Sequence, residues 1–387
     1  MPAMNDAPSP GSPPDWQWID DPSGLAALAE RMHQAPWIAL DTESNSMYAY
    51  REQICLIQLN IGGHLALIDT LALADDSQVL AALAGPLADP GQPCYTHGGE
   101  YDVACLKRDY GLALGGLFDT QQAATLLGLP GTGYGTLVER LCGISLPKGH
   151  STYNWATRPI DPQALHYAVD DVRHLPSLVE HLEAEIRARD LVEEMAIACQ
   201  AVMDTDAHRS VWTPEQIRFL PGFGALTTAQ RGIALALATW RDGEAAARNL
   251  PAGRILSNQT LVELSRRGAT NFSSLKRVRL PGWVLRELGE ALIDVIRQAH
   301  RQPPPLPELP PSRQPDPAER PREARLKDWR RQEATRRDLP VQTVLPARAL
   351  QHLARHGAAD LSTVPQLGDK RIRLYGEVLR RLCATRS

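Results

Sequence analysis

Residues 240–268 and 329–357 are two copies of one segment. Aligned without gaps at an offset of 89 residues, they agree at 12 of 29 positions. Trp240 matches Trp329, Arg248 matches Arg337, Pro251 matches Pro340 and Gly268 matches Gly357. Agreement of this density fixes the C-terminal half as a tandem of one module. Strand signals nearly vanish after residue 200, so the module is helical, and its tryptophan is expected to anchor each core. A Pro-rich stretch, QPPPLPELPPSRQPDPA, lies between the copies. It must be extended and cannot build a core. The expected organisation is a connecting helix and first module over 201–302, a linker over 303–318 and a second module over 319–387. The second copy lacks the continuous apolar pattern of VLRELGEALIDVI, so it is expected to bind more weakly or to serve packing.

The first 200 residues must therefore hold a separate domain, since 387 residues exceed one ordinary core. Their charge is also different. Residues 1–200 carry 10 Lys and Arg against 26 Asp and Glu, while residues 201–387 carry 31 against 19. The overall net charge of −4 thus conceals an acidic module joined to a basic one. A basic helical half suits a polyanionic partner, and an acidic half beside it would need cations before approaching phosphates. No run of 18 apolar residues is present, so no membrane span is expected. Residues 1–14 have neither a basic start nor an apolar stretch and are expected to form a disordered tail rather than a signal peptide. The six cysteines lie far apart without a C-x-x-C pair, which suits reduced thiols in a cytosolic protein and not a zinc site.

Within residues 15–200 a short amphipathic helix, LAALAERMHQ, precedes three apolar runs of strand length: PWIALDTES, ICLIQLNIG and HLALIDT. Turn signals between them predict a hairpin-rich sheet. A further short strand, PCYTHG, leads into the helix YDVACLKRDYG, and helical patterns follow. The last, DPQALHYAVDDVRHLPSLVEHLEAEIRARD, contains Pro176, which is expected to kink or divide it. This order describes an α/β domain.

The chemistry gathers in three places. Asp41 and Glu43 end an apolar strand two residues apart, and strand alternation places both on one face. Asp102 opens the helix after PCYTHG. Tyr167 and Asp171 are four residues apart on a helical stretch and share a face, whereas Asp170 points away. Singly, each has an ordinary reading: solvated surface, a charge favoured by a helix N-terminus, a structural tyrosine beside a surface aspartate. Together, four carboxylates from one strand and two helices suit two hard divalent cations, which would serve phosphodiester cleavage. Tyr167 would orient a water by hydrogen bonding.

These residues carry a family resemblance. The succession DTE, H-G-G-E-Y-D and Y-A-V-D-D-V-x-x-L resembles the tyrosine variant of the four-carboxylate exonucleases. C-L-I-Q-L, F-D-T-Q-Q-A-A and L-P-K-G…W-A-T-R-P-I are similar to ribonuclease D proteins, so the match covers roughly residues 36–185. The duplicated W-R-x-x-E-A-x-x-R-x-L-P module resembles the helicase-and-RNase-D C-terminal (HRDC) domain. The resemblance implies a ribonuclease H-like mixed sheet with helices, followed by two all-α HRDC-like domains. It implies Asp41, Glu43, Asp102 and Asp171 as metal ligands, Tyr167 as the water-orienting group and two Mg²⁺ or Mn²⁺ ions. It further implies a monomeric, cytoplasmic 3′→5′ exoribonuclease that releases 5′-mononucleotides from single-stranded 3′ ends, tRNA precursors among them. Residues 44–50, SNSMYAY, depart from the family's more aromatic pattern where the terminal nucleotide is expected to lie. Lys148, shortly before Ser151, falls where the family has a basic and hydroxyl pair and is a candidate phosphate contact. So are Lys276, Arg277 and Arg279 in the first helical module. From the residues alone, a 3′→5′ DNA exonuclease and a non-catalytic nucleic-acid-binding adaptor stay open. G-T-G-Y-G at 131–135 lacks the ending of a phosphate loop and is expected to be a plain loop. His97 is expected to be structural or to support a ligand, and His166 and His174 to have surface or packing roles.

Overall fold

The structure, a computed structural model, describes residues 14–74, 79–147, 149, 152–207, 211–308 and 316–384. The chain forms two units, one of residues 1–44, 54–208 and 315–387, the other of residues 45–53 and 209–314.

The first unit opens with β1 (Trp16–Ile19) and α1 (Pro22–Gln34). Asp21 caps α1 by accepting the N–H groups of Ser23 and Gly24, and Pro22 fills a position that needs no donor. The three apolar runs become β2 (Ile38–Ser44), β3 (Ile54–Ile61) and β4 (His64–Ile68), an antiparallel meander. Then follow α2 (Ala84–Ala88), β5 (Pro93–Thr96), α3 (Glu100–Tyr110), β6 (Gly116–Asp119) and α4 (Thr120–Leu127). The six strands lie in the order β1-β4-β3-β2-β5-β6, with β1, β5 and β6 joined in parallel. This is the expected mixed α/β sheet. β1 and β6 were not foreseen, because they become strands only by pairing with β4 and β5.

Four helices complete the domain: α5 (Tyr134–Cys142), α6 (Pro162–Arg173), α7 (Leu175–Ala188) and α8 (Val192–Met203). Pro176 divides the long helical pattern rather than kinking it. Its ring suits the first turn of α7 but could not continue α6, so only His174 separates the two. β3 is buried along its whole length because both faces of the sheet are covered. Leu40 and Leu59 face a core shared with α1, α3 and α7, while Leu56 and Leu67 face α6 through Ala164 and Ala168.

In the second unit, α9 (Thr228–Arg248), α10 (Ala252–Ile255), α11 (Asn258–Arg267), α12 (Phe272–Leu275) and α13 (Gly282–Arg301) enclose their own core. Residues 45–53 fold with them. The Tyr50 hydroxyl donates to Asp242 at 2.8 Å, and the Arg51 N–H donates to the Asn249 side chain at 2.9 Å.

The second copy of the module comprises α14 (Glu319–Arg337), α15 (Val341–Val344), α16 (Ala347–His356) and α17 (Asp369–Cys383). The repeat is visible in the backbone: α9 ends on Asn249 and α14 on Asp338, both left-handed with φ of 49° and 52°. Trp240 and Trp329 pack against the two module cores as expected, Trp329 edge-to-face with Tyr375 at 5.2 Å. The linker seen in the sequence allows this copy several placements, yet it is docked on the nuclease domain. Thr343 donates to the Leu126 carbonyl at 2.9 Å, and the Lys370 ammonium meets Glu194 at 3.2 Å and Asp190 at 3.0 Å. The Lys370 N–H also donates to Glu193 at 2.7 Å.

Candidate metal centre

β2 changes character at Asp41. Its first residues are apolar and hold the strand in the sheet, and alternation then sends Asp41 and Glu43 to the face covered by α6, with Thr42 on the other. α6 brings Asp171 onto the same face. One carboxylate oxygen from each of Asp41, Glu43 and Asp171 lies within 4.8 Å of the others. Asp102, buried in the first turn of α3, accepts a 2.5 Å hydrogen bond from the Thr42 hydroxyl. Three of the four expected carboxylates thus converge, and the fourth is tied to the residue between two of them. Asp170 pairs instead with Arg173 at 3.1 Å, as its direction on the helix requires.

The cluster is electrostatically uncomfortable as it stands. Burial first, then the neighbouring charges of Asp171 and Asp102, pushes Glu43 up to about 9. Burial, with Asp170 and Asp102, lifts Asp171 to about 8, and burial raises Asp102 to about 6. Asp41 is driven well above the carboxylate range by burial and by Asp102, Asp171 and Glu43. An all-oxygen set, half-buried at Asp41, Glu43 and Asp171 and resisting ionisation, fits hard divalent cations, which would remove the repulsion. The Tyr167 phenol, one turn before Asp171, is raised by burial and by Asp171, Glu43 and Asp41, so it stays protonated beside them.

Several positioning groups had no signal strong enough to single them out. The Tyr134 hydroxyl donates to the Asp170 carbonyl at 2.6 Å and accepts the His174 N–H at 3.3 Å. The Asn60 amide donates to the Val172 carbonyl at 3.3 Å. Together they hold the end of α6 that carries Asp171. Asp119 accepts the N–H groups of Gly98 at 3.1 Å and Gly99 at 2.7 Å, fixing the turn that launches α3 and Asp102. Its motif, F-D-T-Q-Q, was visible, but only the fold shows what the aspartate holds. His97 sits within 2.9 Å of the Thr120 hydroxyl and edge-on to Tyr134, and His166 packs edge-on to Trp16. G-T-G-Y-G is the turn that begins α5.

Lys276, Arg277 and Arg279 are exposed on the turn between α12 and α13, in the second unit. Lys148 lies outside the described residues. Among the described residues, no helix is long and apolar enough to cross a membrane.

Known proteins carry the same parts in the same order. A family model described as "3'-5' exonuclease" matches residues 16–187, and one for the HRDC domain matches residues 230–296 and 319–383. Ribonuclease D of Zymomonas mobilis is 35% identical over 291 residues, covering 73% of this chain and 72% of its own. Ribonuclease D of Acidiphilium cryptum is 30% identical over 381 residues, covering 97% and 94%. Among solved structures, Escherichia coli RNase D, described as an exoribonuclease involved in structured RNA processing, superposes with a TM-score of 0.69 at 27% identity. That match covers 95% of this chain and 98% of the other.

Proposed function

Because the chain belongs to the ribonuclease D family of 3′→5′ exoribonucleases, we propose that Asp41, Glu43, Asp102 and Asp171 together hold two divalent cations, Mg²⁺ or Mn²⁺. The family is metal-dependent, and the observation that carries this reading is the approach of three carboxylates within 4.8 Å on one face of β2 and α6. When bound, such a pair stabilises charge on both the attacking and the leaving oxygen of a phosphodiester.

The chain's own residues do the rest. Tyr167 keeps its proton and uses its hydroxyl to orient a water toward the last phosphorus of the RNA. The water oxygen bonds to phosphorus, the P–O3′ bond breaks, and the departing 3′ oxygen takes a proton. A 5′-mononucleotide leaves, and the shortened RNA keeps a free 3′ hydroxyl. Asp119 and Tyr134 keep α3 and α6, and with them Asp102 and Asp171, in register with the strand. An acidic, half-buried site favours an unpaired 3′ end, and the HRDC modules give the chain its nucleic-acid-binding surface. Lys276, Arg277 and Arg279 contact phosphates there. The substrates are structured RNA precursors, tRNA among them, and the protein works as a cytoplasmic monomer.

The deciding experiment compares wild type with Asp41→Asn on 3′-labelled and 5′-labelled single-stranded RNA and DNA, with Mg²⁺, Mn²⁺ or EDTA. Wild type is expected to free the labelled 3′ nucleotide from RNA at once and to shorten 5′-labelled RNA stepwise. EDTA stops both, and Asp41→Asn lowers kcat about 10²- to 10³-fold, the range seen when one transition-state charge stabiliser is removed. Internal cleavage, or full activity in EDTA, overturns the reading. DNA degraded as fast as RNA removes the preference for ribose.

A further inference from the structure

Strand β3 carries a residue that its surroundings leave without purpose. Gln58 stands in the otherwise apolar part of C-L-I-Q-L, is 0% exposed, and has no hydrogen-bond partner for either its carboxamide nitrogen or its oxygen. Four other side chains also have a buried polar atom without a partner: His97, Arg231, Arg241 and Arg322. In each of these a second nitrogen is bonded, to Thr120, Gly224, Leu256 and Ala354 respectively. Among the described residues with such atoms, Gln58 alone has both ends idle. Burying an amide with no partner works against folding, and a methionine would fill the same space without that cost.

The sheet register says which partner is missing. Gln58 lies directly opposite Asp41 on β2. Residues paired across adjacent strands project to the same face with Cβ atoms about 4.5–5.5 Å apart. Its other cross-strand neighbour is Leu67, and the next residues on its own face are Leu56 and Asn60. Leu56 and Leu67 cannot hydrogen-bond, and Asn60 is already engaged with the end of α6. Among its strand neighbours that leaves the Asp41 carboxylate directly opposite. A ligating carboxylate normally has its remaining lone pairs hydrogen-bonded.

We propose that Gln58 is a positioning residue of the divalent-cation centre: its carboxamide N–H donates to Asp41 once that carboxylate holds a cation, and fixes its orientation. The inference rests on the reading of Asp41 as a ligand. The amide held opposite Asp41 is then part of the centre rather than a defect of the core.

The test uses the full chain and Mn²⁺ as the probe. Wild type, Gln58→Met and Asp41→Asn are titrated calorimetrically with Mn²⁺ and melted in EDTA and in excess Mn²⁺. Gln58→Met is expected to melt in EDTA at or above the wild-type temperature, to bind Mn²⁺ about 10- to 100-fold more weakly, and to gain less from Mn²⁺ on melting. Wild-type Mn²⁺ affinity in Gln58→Met overturns the inference. The Asp41→Asn arm separates this from failure of the parent reading. If that variant binds Mn²⁺ like wild type, Asp41 is not a ligand and both fall; if it binds weakly while Gln58→Met does not, only the role of Gln58 falls. Should Gln58→Met not fold, wild type labelled with ¹⁵N-glutamine gives the answer. The Gln58 side-chain amide protons should shift downfield and exchange more slowly on adding Mg²⁺, and unchanged resonances sink the proposal.

Discussion

The carboxylates of Glu43 and Asp171 hold protons at pH values where an ordinary acid has lost them, and this has a measurable cost. In the unfolded chain both ionise in the usual carboxylate range; in the fold they wait until about 9 and about 8. The folded state therefore carries more protons than the unfolded one across that window. Their contribution to stability is whole at low pH and drains away as pH rises toward the folded values. Thermal melting in EDTA should accordingly show a midpoint that falls between about pH 5 and pH 9. Excess Mg²⁺ should flatten that fall. A midpoint independent of pH in EDTA would mean that the cluster is better solvated than its burial implies. At this scale the sequence was most legible where chemistry follows a short period. The pairing of Asp41 with Glu43, and of Tyr167 with Asp171, could be read from spacings of two and four. Asp102 was placed on its helix, but its bond to Thr42 joins positions 60 apart in the chain and has no local signature.

Helix α6 shows what the elements add. It presents Tyr167 and Asp171 one turn apart, but it is useful only if its far end does not drift, and helix ends fray unless their carbonyls find donors. Asn60 and Tyr134, from a strand and from another helix, supply that anchorage. Tyr134→Phe keeps the ring and removes the hydroxyl, leaving the Asp170 carbonyl and the His174 N–H without their partner. The variant should lose about 1–3 kcal/mol in urea unfolding, with a lower kcat from a loosened Asp171. A variant as stable and active as wild type would show that α6 is held by its apolar face alone. The strands of the meander were legible because each has five or more residues between clear turns. β1 and β6 were not, since they become strands only by pairing with β4 and β5.

Across the whole molecule the helical module occurs twice, and the second copy shares a compact unit with the nuclease domain. The second is fastened to the nuclease domain through Lys370, whose ammonium lies against Glu194, a side chain that is only 4% exposed. Removing one partner from such a pair strands the other charge, at a cost of about 3–5 kcal/mol. Lys370→Ala should show that loss in urea unfolding, and the double variant Lys370→Met/Glu194→Leu should recover most of it. No loss in the single variant would mean that water already reaches Glu194. Nothing in the sequence announced this docking, because it joins residues some 176 positions apart across a Pro-rich linker. The repeat told how many modules there are; only the tertiary contacts tell where the second one rests.

That docking changes what the duplication has become. At matched positions of the repeat, the first copy has Arg254, exposed, and the second has Thr343, buried against the Leu126 carbonyl. One copy presents an outward-facing cation, while the other is set into the wall of its host. A segment so absorbed no longer drifts as a loose appendage. Changes in α15 and α17 will be felt as lesions of the nuclease itself.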